Sequence, residues 1–340
     1  MRRLVFATQR IDPADPVLGA TVPMVRALAE RVDEVVVLCD HAVPAALPPN
    51  ALVHKFGAAT RIGRGFRFEA ALARALRPRP VAVVAHMVPL YALLAAPLVR
   101  PLRVPLLLWY THWKAHNVLR AAERVCTAVV SVDRRSFPLV SRKVRPIGHG
   151  IDVAELPCVD GARIPGPLRA LVLGRYSPAK GIDEILRAAR LAADRGLDVV
   201  VESHGVTAAP IEERHRRELA RLVEELGLSD RVDLGGPVPR AELPALFARS
   251  DVLVNNMETG APDKVVYEAA ASCLAVLASN PVFDDLLPDE LRFVRGRPES
   301  LAERLLALER RRRPELRERV TERHSVDSWA DGVLEAAGAS

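Results

Sequence analysis

Short apolar runs of strand length recur along the first half of the chain, at residues 4–8, 35–38, 81–85, 105–109 and 128–132. Between most of them lie stretches with apolar residues at three- and four-residue intervals, as at 20–31 and 66–76. Strands that are apolar on both faces must be covered on both, which predicts a parallel sheet with helices on each side. The first half therefore reads as a doubly wound α/β domain. A second series follows, with strands at 170–173, 199–202, 232–234, 252–254 and 275–278 and helices at 181–193, 211–226, 241–249 and 264–272. Pro157, Gly161, Pro165 and Gly166 interrupt any element between the two series, so 152–167 is the expected linker. Two further helices are predicted at 309–323, interrupted by Pro314, and at 326–337. Two α/β series of similar size place a ligand in the cleft between them, at the carboxyl ends of the strands.

Composition narrows the picture. The 340 residues are 49% hydrophobic and 26% charged, enough for two cores. Met1-Arg2-Arg3 leads directly into a first strand, which leaves no room for a secretory signal. The longest apolar stretch, 87–99, is broken by Pro89 and Pro97 and is too short for a membrane span. A cytoplasmic protein, at most peripheral at the inner face of a membrane, is expected. Cys39, Cys126, Cys158 and Cys273 lie far apart without metal-ligand spacing, and are read as reduced core thiols without function. The net charge of +6 would permit nucleic-acid binding, but the arginines are largely matched by glutamates, as at 212–226, and aromatics are only 4%. No nucleic-acid partner is expected.

The chemistry concentrates in two stretches, 171–181 (LVLGRYSPAKG) and 251–279. Each reads as a buried strand, a loop and a helix start, and together they present Arg175, Lys180, Lys264 and Glu268. Cations at the head of a helix suit a diphosphate, because backbone N–H groups and the helix dipole already favour negative charge there. A carboxylate one helix away suits the vicinal hydroxyls of a ribose. The combination points to a nucleotide-sugar site.

Four segments in order carry a resemblance: Gly174-Arg175 with Lys180-Gly181; Arg231 through Gly236; Glu268-Ala269 heading a small-residue run before 275–279; and, in the first half, Ile147-Gly148-His149-Gly150-Ile151-Asp152. Together they resemble a family 4 glycosyltransferase of the GT-B type. The resemblance implies an α/β GT-B fold of two Rossmann-like, doubly wound parallel-sheet domains facing a central cleft. Residues 1–155 would form the acceptor-side domain and 156–324 the nucleotide-sugar domain. A C-terminal helix within 325–340 would cross back to the first domain, with Trp329 as its anchor.

It also implies roles. Arg175 and Lys180 would meet the phosphates after the turn at Gly174, and the backbone amides of Lys264 and Val265 would meet a phosphate at a helix capped by Asp263. Glu268 would accept from the ribose, and the base would lie against backbone at Leu234-Gly235. In the family a glutamate stands eight residues before Glu268. Here that position is Gly260, so Glu258, in the loop Glu258-Thr259-Gly260, is the candidate for the missing carboxylate. His112, at the end of the 105–109 strand, is the better match to the family's donor-sugar histidine, and His116 the poorer. His86, at the end of 81–85, is an acceptor candidate, His149 reads as structural, and Gly19 would let the loop after the first strand approach the donor.

The implied activity is transfer of a sugar from a nucleoside diphosphate sugar to a hydroxyl acceptor with retention, without cofactor and without metal, since an Asp-x-Asp arrangement is missing. A lipid-linked acceptor is one candidate, because the basic amphipathic stretch 61–77 has the physics of a membrane-surface helix. Two alternatives stand beside it: a nucleotide-sugar-binding protein that has lost catalysis, and a sugar-nucleotide epimerase of the same fold. A dinucleotide-dependent oxidoreductase would require G-x-G-x-x-G at a strand-to-helix turn, which neither candidate turn has.

Overall fold

The computed structural model describes residues 1–15, 18–158 and 165–339, which divide into two compact units, Met1–Asp152 with Glu322–Ser340, and Val153–Thr321. Residues 159–164 of the expected linker, including Gly161, lie outside the described residues.

In the first unit the central strand is β1 (Arg3–Ala7). A two-residue strand β2 (Arg10–Ile11) and helix α1 (Thr21–Ala29) lead to β3 (Glu34–Cys39), which pairs in parallel with β1 so that Val5 faces Val36. After β4 (His41–Ala42), paired with β2, the chain adds β5 (Ala51–Lys55) at the sheet edge. It then crosses through α2 (Arg61–Ala75) to β6 (Ala82–His86), on the other side of β1. Helices α3 (Pro89–Val99) and α4 (Asn117–Val125) alternate with β7 (Leu106–Trp109), β8 (Ala128–Ser131) and β9 (Val144–Pro146). The parallel order is β5-β3-β1-β6-β7-β8-β9, with the direction of winding reversing between β1 and β6. The apolar stretch at 87–99 is thus a helix, with Pro89 in its first turn, where the missing N–H costs nothing. β5 escaped the apolar pattern because it is an edge strand with exposed His54 and Lys55.

The second unit repeats the plan. β10 (Leu168–Leu173) is followed by α5 (Ile182–Asp194), β11 (Val199–His204), α6 (Pro210–Glu225) and β12 (Val232–Gly235). The chain returns past β10 through α7 (Leu243–Arg249) to β13 (Val252–Asn255), α8 (Lys264–Ala271) and β14 (Ala275–Ala278), then to α9 (Pro298–Leu306). All pairings are parallel in the order β12-β11-β10-β13-β14, so the winding reverses between β10 and β13. Carboxyl ends of strands at such a reversal leave a crevice that sequence-adjacent helices cannot fill.

Helix α10 (Pro314–His324) begins at Pro314, so that proline starts a helix, where the sequence pattern suggested it would interrupt one. The last helix, α11 (Val326–Ala336), packs on the first unit. Its Trp329 is fully buried, edge-on to Trp109 at 5.7 Å and to Phe6 at 6.3 Å. The segment 147–152 forms its seat: Ile151 donates to His324 O and accepts from Val326 N, and a Cβ on Gly148 would overlap the Arg323 carbonyl.

The sequence reading of the cysteines is corrected. Cys158 and Cys273 form a disulfide, 115 positions apart and with Cα atoms 5.1 Å apart, so only Cys39 and Cys126 are buried free thiols. Nothing in sequence spacing signals such a pair. It forms because the segment after Ile151 runs past the end of α8, where Arg317 also donates to the carbonyls of Val153, Leu156 and Ala271.

Candidate functional site

The reversal between β10 and β13 gathers most of the donor-site residues named from sequence. β10 ends at Leu173, and Gly174 (φ 129) turns the chain in a conformation that L side chains rarely adopt. A Cβ there would lie 2.5 Å from Lys180 Nζ, so glycine is required for the lysine to fold back across the strand end. Lys180 is largely buried, donating to the Leu173 carbonyl at 3.3 Å and forming an ion pair with Asp263. Asn255 Nδ2 donates to the same Asp263 carboxylate at 2.7 Å. Asp263 is the N-cap residue of α8 by position, but its side chain makes no capping bond, contrary to the sequence expectation. Two donors at the ends of β10 and β13, one of them a cation, hold the carboxylate instead.

Arg175 is more than half exposed, and its guanidinium lies 3.3 Å from the buried carboxylate of Glu212. Helix α8 starts one residue after Asp263. Its ladder begins with Val266 N donating to Asp263 O at 3.1 Å, so the amides of Lys264 and Val265 stand ahead of it, as the first N–H groups of a helix do. The Lys264 ammonium reaches Glu268 Oε1 at 2.9 Å, and Arg240 Nη1 reaches the same oxygen at 2.8 Å. Burial alone would push the Glu268 carboxyl up, but Lys264 and then Arg240 outweigh it and hold it below the usual carboxylate range.

The loop after β13 is fixed from three sides. Glu258 N donates to Ala179 O at 2.9 Å, which ties this loop to the one carrying Lys180. Asn280, at the end of β14, donates to the Glu258 and Ala261 carbonyls at 2.8 and 3.0 Å and accepts from Gly260 N at 3.2 Å. Arg295 donates to the Ala179 and Asn256 carbonyls, with its other nitrogen 3.4 Å from Glu258 Oε2. Gly260 has φ 84, so the position where the family carries a glutamate adopts backbone that disfavours any side chain. Thr259, between them, is exposed.

Leu234 and Gly235 end β12. Their carbonyls accept from Arg216 and from the buried Tyr176 hydroxyl, the latter at 2.8 Å, and the Arg216 guanidinium lies 5.1 Å above the Tyr176 ring.

The remaining candidates belong to the first unit. His86 ends β6 at that unit's own reversal and is 5% exposed, its Nδ1 3.0 Å from Thr8 Oγ1 at the end of β1. Burial pushes its pKa down to about 3. His112 is exposed in the loop after β7, accepts from Lys114 N at 3.1 Å and stacks on Trp113 at 5.9 Å. His116 caps α4, accepting from Leu119 N at 3.2 Å. At Gly19 the close approach is made by the loop itself: a Cβ would lie 2.7 Å from Asp15 O and 2.9 Å from Pro13 O.

Sequence reasoning missed Asn255, Asn256, Asn280, Arg240 and Arg295. Two asparagines directly after an apolar strand were a usable signal, since buried amides exist to satisfy backbone. Asn256 donates to Gly181 O and Glu184 and accepts from Ser279. The two arginines had none in a chain with 48 Lys and Arg residues.

Residues 161–325 match the family model of the glycosyl transferases group 1. The match falls almost entirely on the second unit. Solved structures extend the likeness in fold to both units. Sucrose-phosphate synthase from Thermosynechococcus elongatus is 18% identical, with a TM-score of 0.76 over 98% of each chain. A glycosyltransferase from Rickettsia africae is 11% identical, with a TM-score of 0.75 over 99% of this chain and 97% of that one. A UDP-forming α,α-trehalose-phosphate synthase from Burkholderia xenovorans is 17% identical, with a TM-score of 0.71 over 99% of both. No curated protein matches the chain in sequence. The fold is GT-B, two Rossmann-like units with parallel sheets. Among the described residues no helix is long and apolar enough to cross a membrane.

Proposed function

We propose that this protein is a glycosyltransferase that takes a sugar from a nucleoside diphosphate sugar and transfers it to a hydroxyl acceptor with retention of anomeric configuration, in the manner of family 4 enzymes. The observation that carries the reading is the meeting of Lys180 with Asp263 at the start of α8, across the reversal between β10 and β13, with the buried carboxylate of Glu268 on the same helix and Arg175 at the turn that leaves β10. Fixed cations and helix-terminal amides there would stabilise the diphosphate as the sugar–oxygen bond breaks. The departing phosphate oxygen would take the proton of the attacking hydroxyl, so neither a side-chain base nor a divalent metal is required. Leu234 and Gly235 would flank the base, Thr259 and Gly260 the sugar, and Glu258 would stand in for the absent glutamate once drawn from Arg295. His112, exposed beside Trp113, is assigned to the donor sugar. Gly19 shapes its loop, and His86 serves the acceptor side by holding Thr8.

A UDP-forming enzyme among the structural neighbours puts uridine diphosphate sugars first in a donor screen. Release of nucleoside diphosphate from that panel tests the reading, and a protein that binds donors tightly yet releases none would be the inactive binding protein. Gly260 in place of the glutamate favours that second reading.

A cytoplasmic location with peripheral membrane contact, and a lipid-linked acceptor, complete the proposal. On α2, Ile62 is 75% and Phe66 68% exposed beside Arg61, Arg64 and Arg67. Co-sedimentation with anionic and neutral vesicles tests this, and equal, negligible binding to both removes it.

A further inference from the structure

Both cations on Glu268 approach one oxygen, Oε1. Among the described residues no protein hydrogen bond is made to Oε2. Arg240 is itself held from behind, its Nε and Nη2 lying 3.1 and 3.0 Å from Glu155 Oε2. The two cations differ in what they can fix. Lys264 swings on a four-carbon stem and fixes only a distance, whereas the planar guanidinium of Arg240, gripped at both ends, fixes the direction from which Oε1 is approached and so the plane of the carboxylate.

We propose that Arg240 is a positioning residue of the nucleotide site. It clamps Oε1 of Glu268 so that Oε2 is presented to the two ribose hydroxyls, and Glu155 anchors Arg240 from behind. The proposal rests on the ribose reading of Glu268 given above.

The test is calorimetric titration of the whole protein with UDP, GDP and ADP, each against its 2′,3′-dideoxy analogue. The wild type is expected to prefer at least one ribonucleotide by about tenfold or more, as hydrogen bonds to a charged acceptor require. Arg240→Met is expected to lose most of that preference while binding the dideoxy analogue within about twofold of wild type, with Arg240→Lys recovering part of it. Glu155→Gln, which changes a half-exposed residue, is expected to fall between wild type and Arg240→Met. A merely structural role would weaken both nucleotides alike, so an unchanged preference in Arg240→Met overturns the proposal. Should that variant fail to fold, an unchanged preference in Glu155→Gln does so. A wild type that binds none of the pairs, or does not discriminate within them, instead overturns the ribose reading of Glu268, and the proposal with it.

Discussion

Lys180 and Asp263, 83 positions apart, form an ion pair across the reversal between β10 and β13. The lysine assigned to the donor phosphates is therefore neutralised by a carboxylate until a ligand competes for it. Replacing Asp263 with Asn removes a like charge from the anion site and keeps a hydrogen-bonding partner for Lys180. Nucleoside diphosphate affinity is expected to rise, on the order of fivefold at low salt and less at high salt. Calorimetric titration at two ionic strengths checks it, and weaker binding would mean that Asp263 chiefly positions the lysine.

His86 gives the first unit an acid sensitivity of defined sign. Its folded pKa is about 3, below the ~6.5 of an unfolded histidine, so the unfolded chain binds the extra proton first. Stability from this group is complete above about pH 6.5 and falls as pH drops towards 3, by up to about 1.4 kcal/mol per pH unit. Urea midpoints from pH 7.5 to 5 are expected to decline less steeply in His86→Gln than in wild type. Parallel slopes would show that the ring is not held neutral.

The disulfide closes a loop with a sequence separation of 115 residues, and Cys158→Ser is expected to destabilise the second unit by ~2–4 kcal/mol. Disulfides are rare in cytosolic proteins, so a bond found formed in the cell would count against the proposed cytoplasmic location. Mass spectrometry of protein alkylated at lysis should find Cys158 and Cys273 linked and Cys39 and Cys126 free. Four alkylated cysteines would place the protein in a reducing compartment with the bond unformed.

The proposed transfer, with retention and without metal, makes a stereochemical prediction. The anomeric proton of the product, followed by NMR with chelator present, is expected to keep the donor's configuration. An inverted product, or a strict need for added magnesium or manganese, would rule out a mechanism in which the departing diphosphate takes the acceptor proton.

Much of this architecture was legible in the sequence because parallel strands buried on both faces leave continuous apolar runs: β1, β6, β10 and β13 were all read that way. Edge strand β5 was not, because its polar residues face solvent. The turn at Gly174 and the α8 carboxylate at Glu268 were found because local motifs announce them. What escaped were partners brought together only by the fold: Asp263 turning from its cap to Lys180, Glu212 beside Arg175, Arg240 reaching Glu155 and Glu268, and Cys158 meeting Cys273. Each joins segments far apart in sequence, and local spacing carries no trace of such pairs.

The most direct test of the assigned donor site is nucleoside diphosphate release from the best donor of the panel, compared between wild type and the Lys180→Ala and Arg175→Ala variants. Neither side chain belongs to an apolar core, so both variants are expected to fold while losing on the order of 10² to 10³ in kcat/KM, the loss typical of one preorganised electrostatic contact. Wild-type turnover in both variants would contradict the assignment of the crevice between β10 and β13 as the diphosphate site.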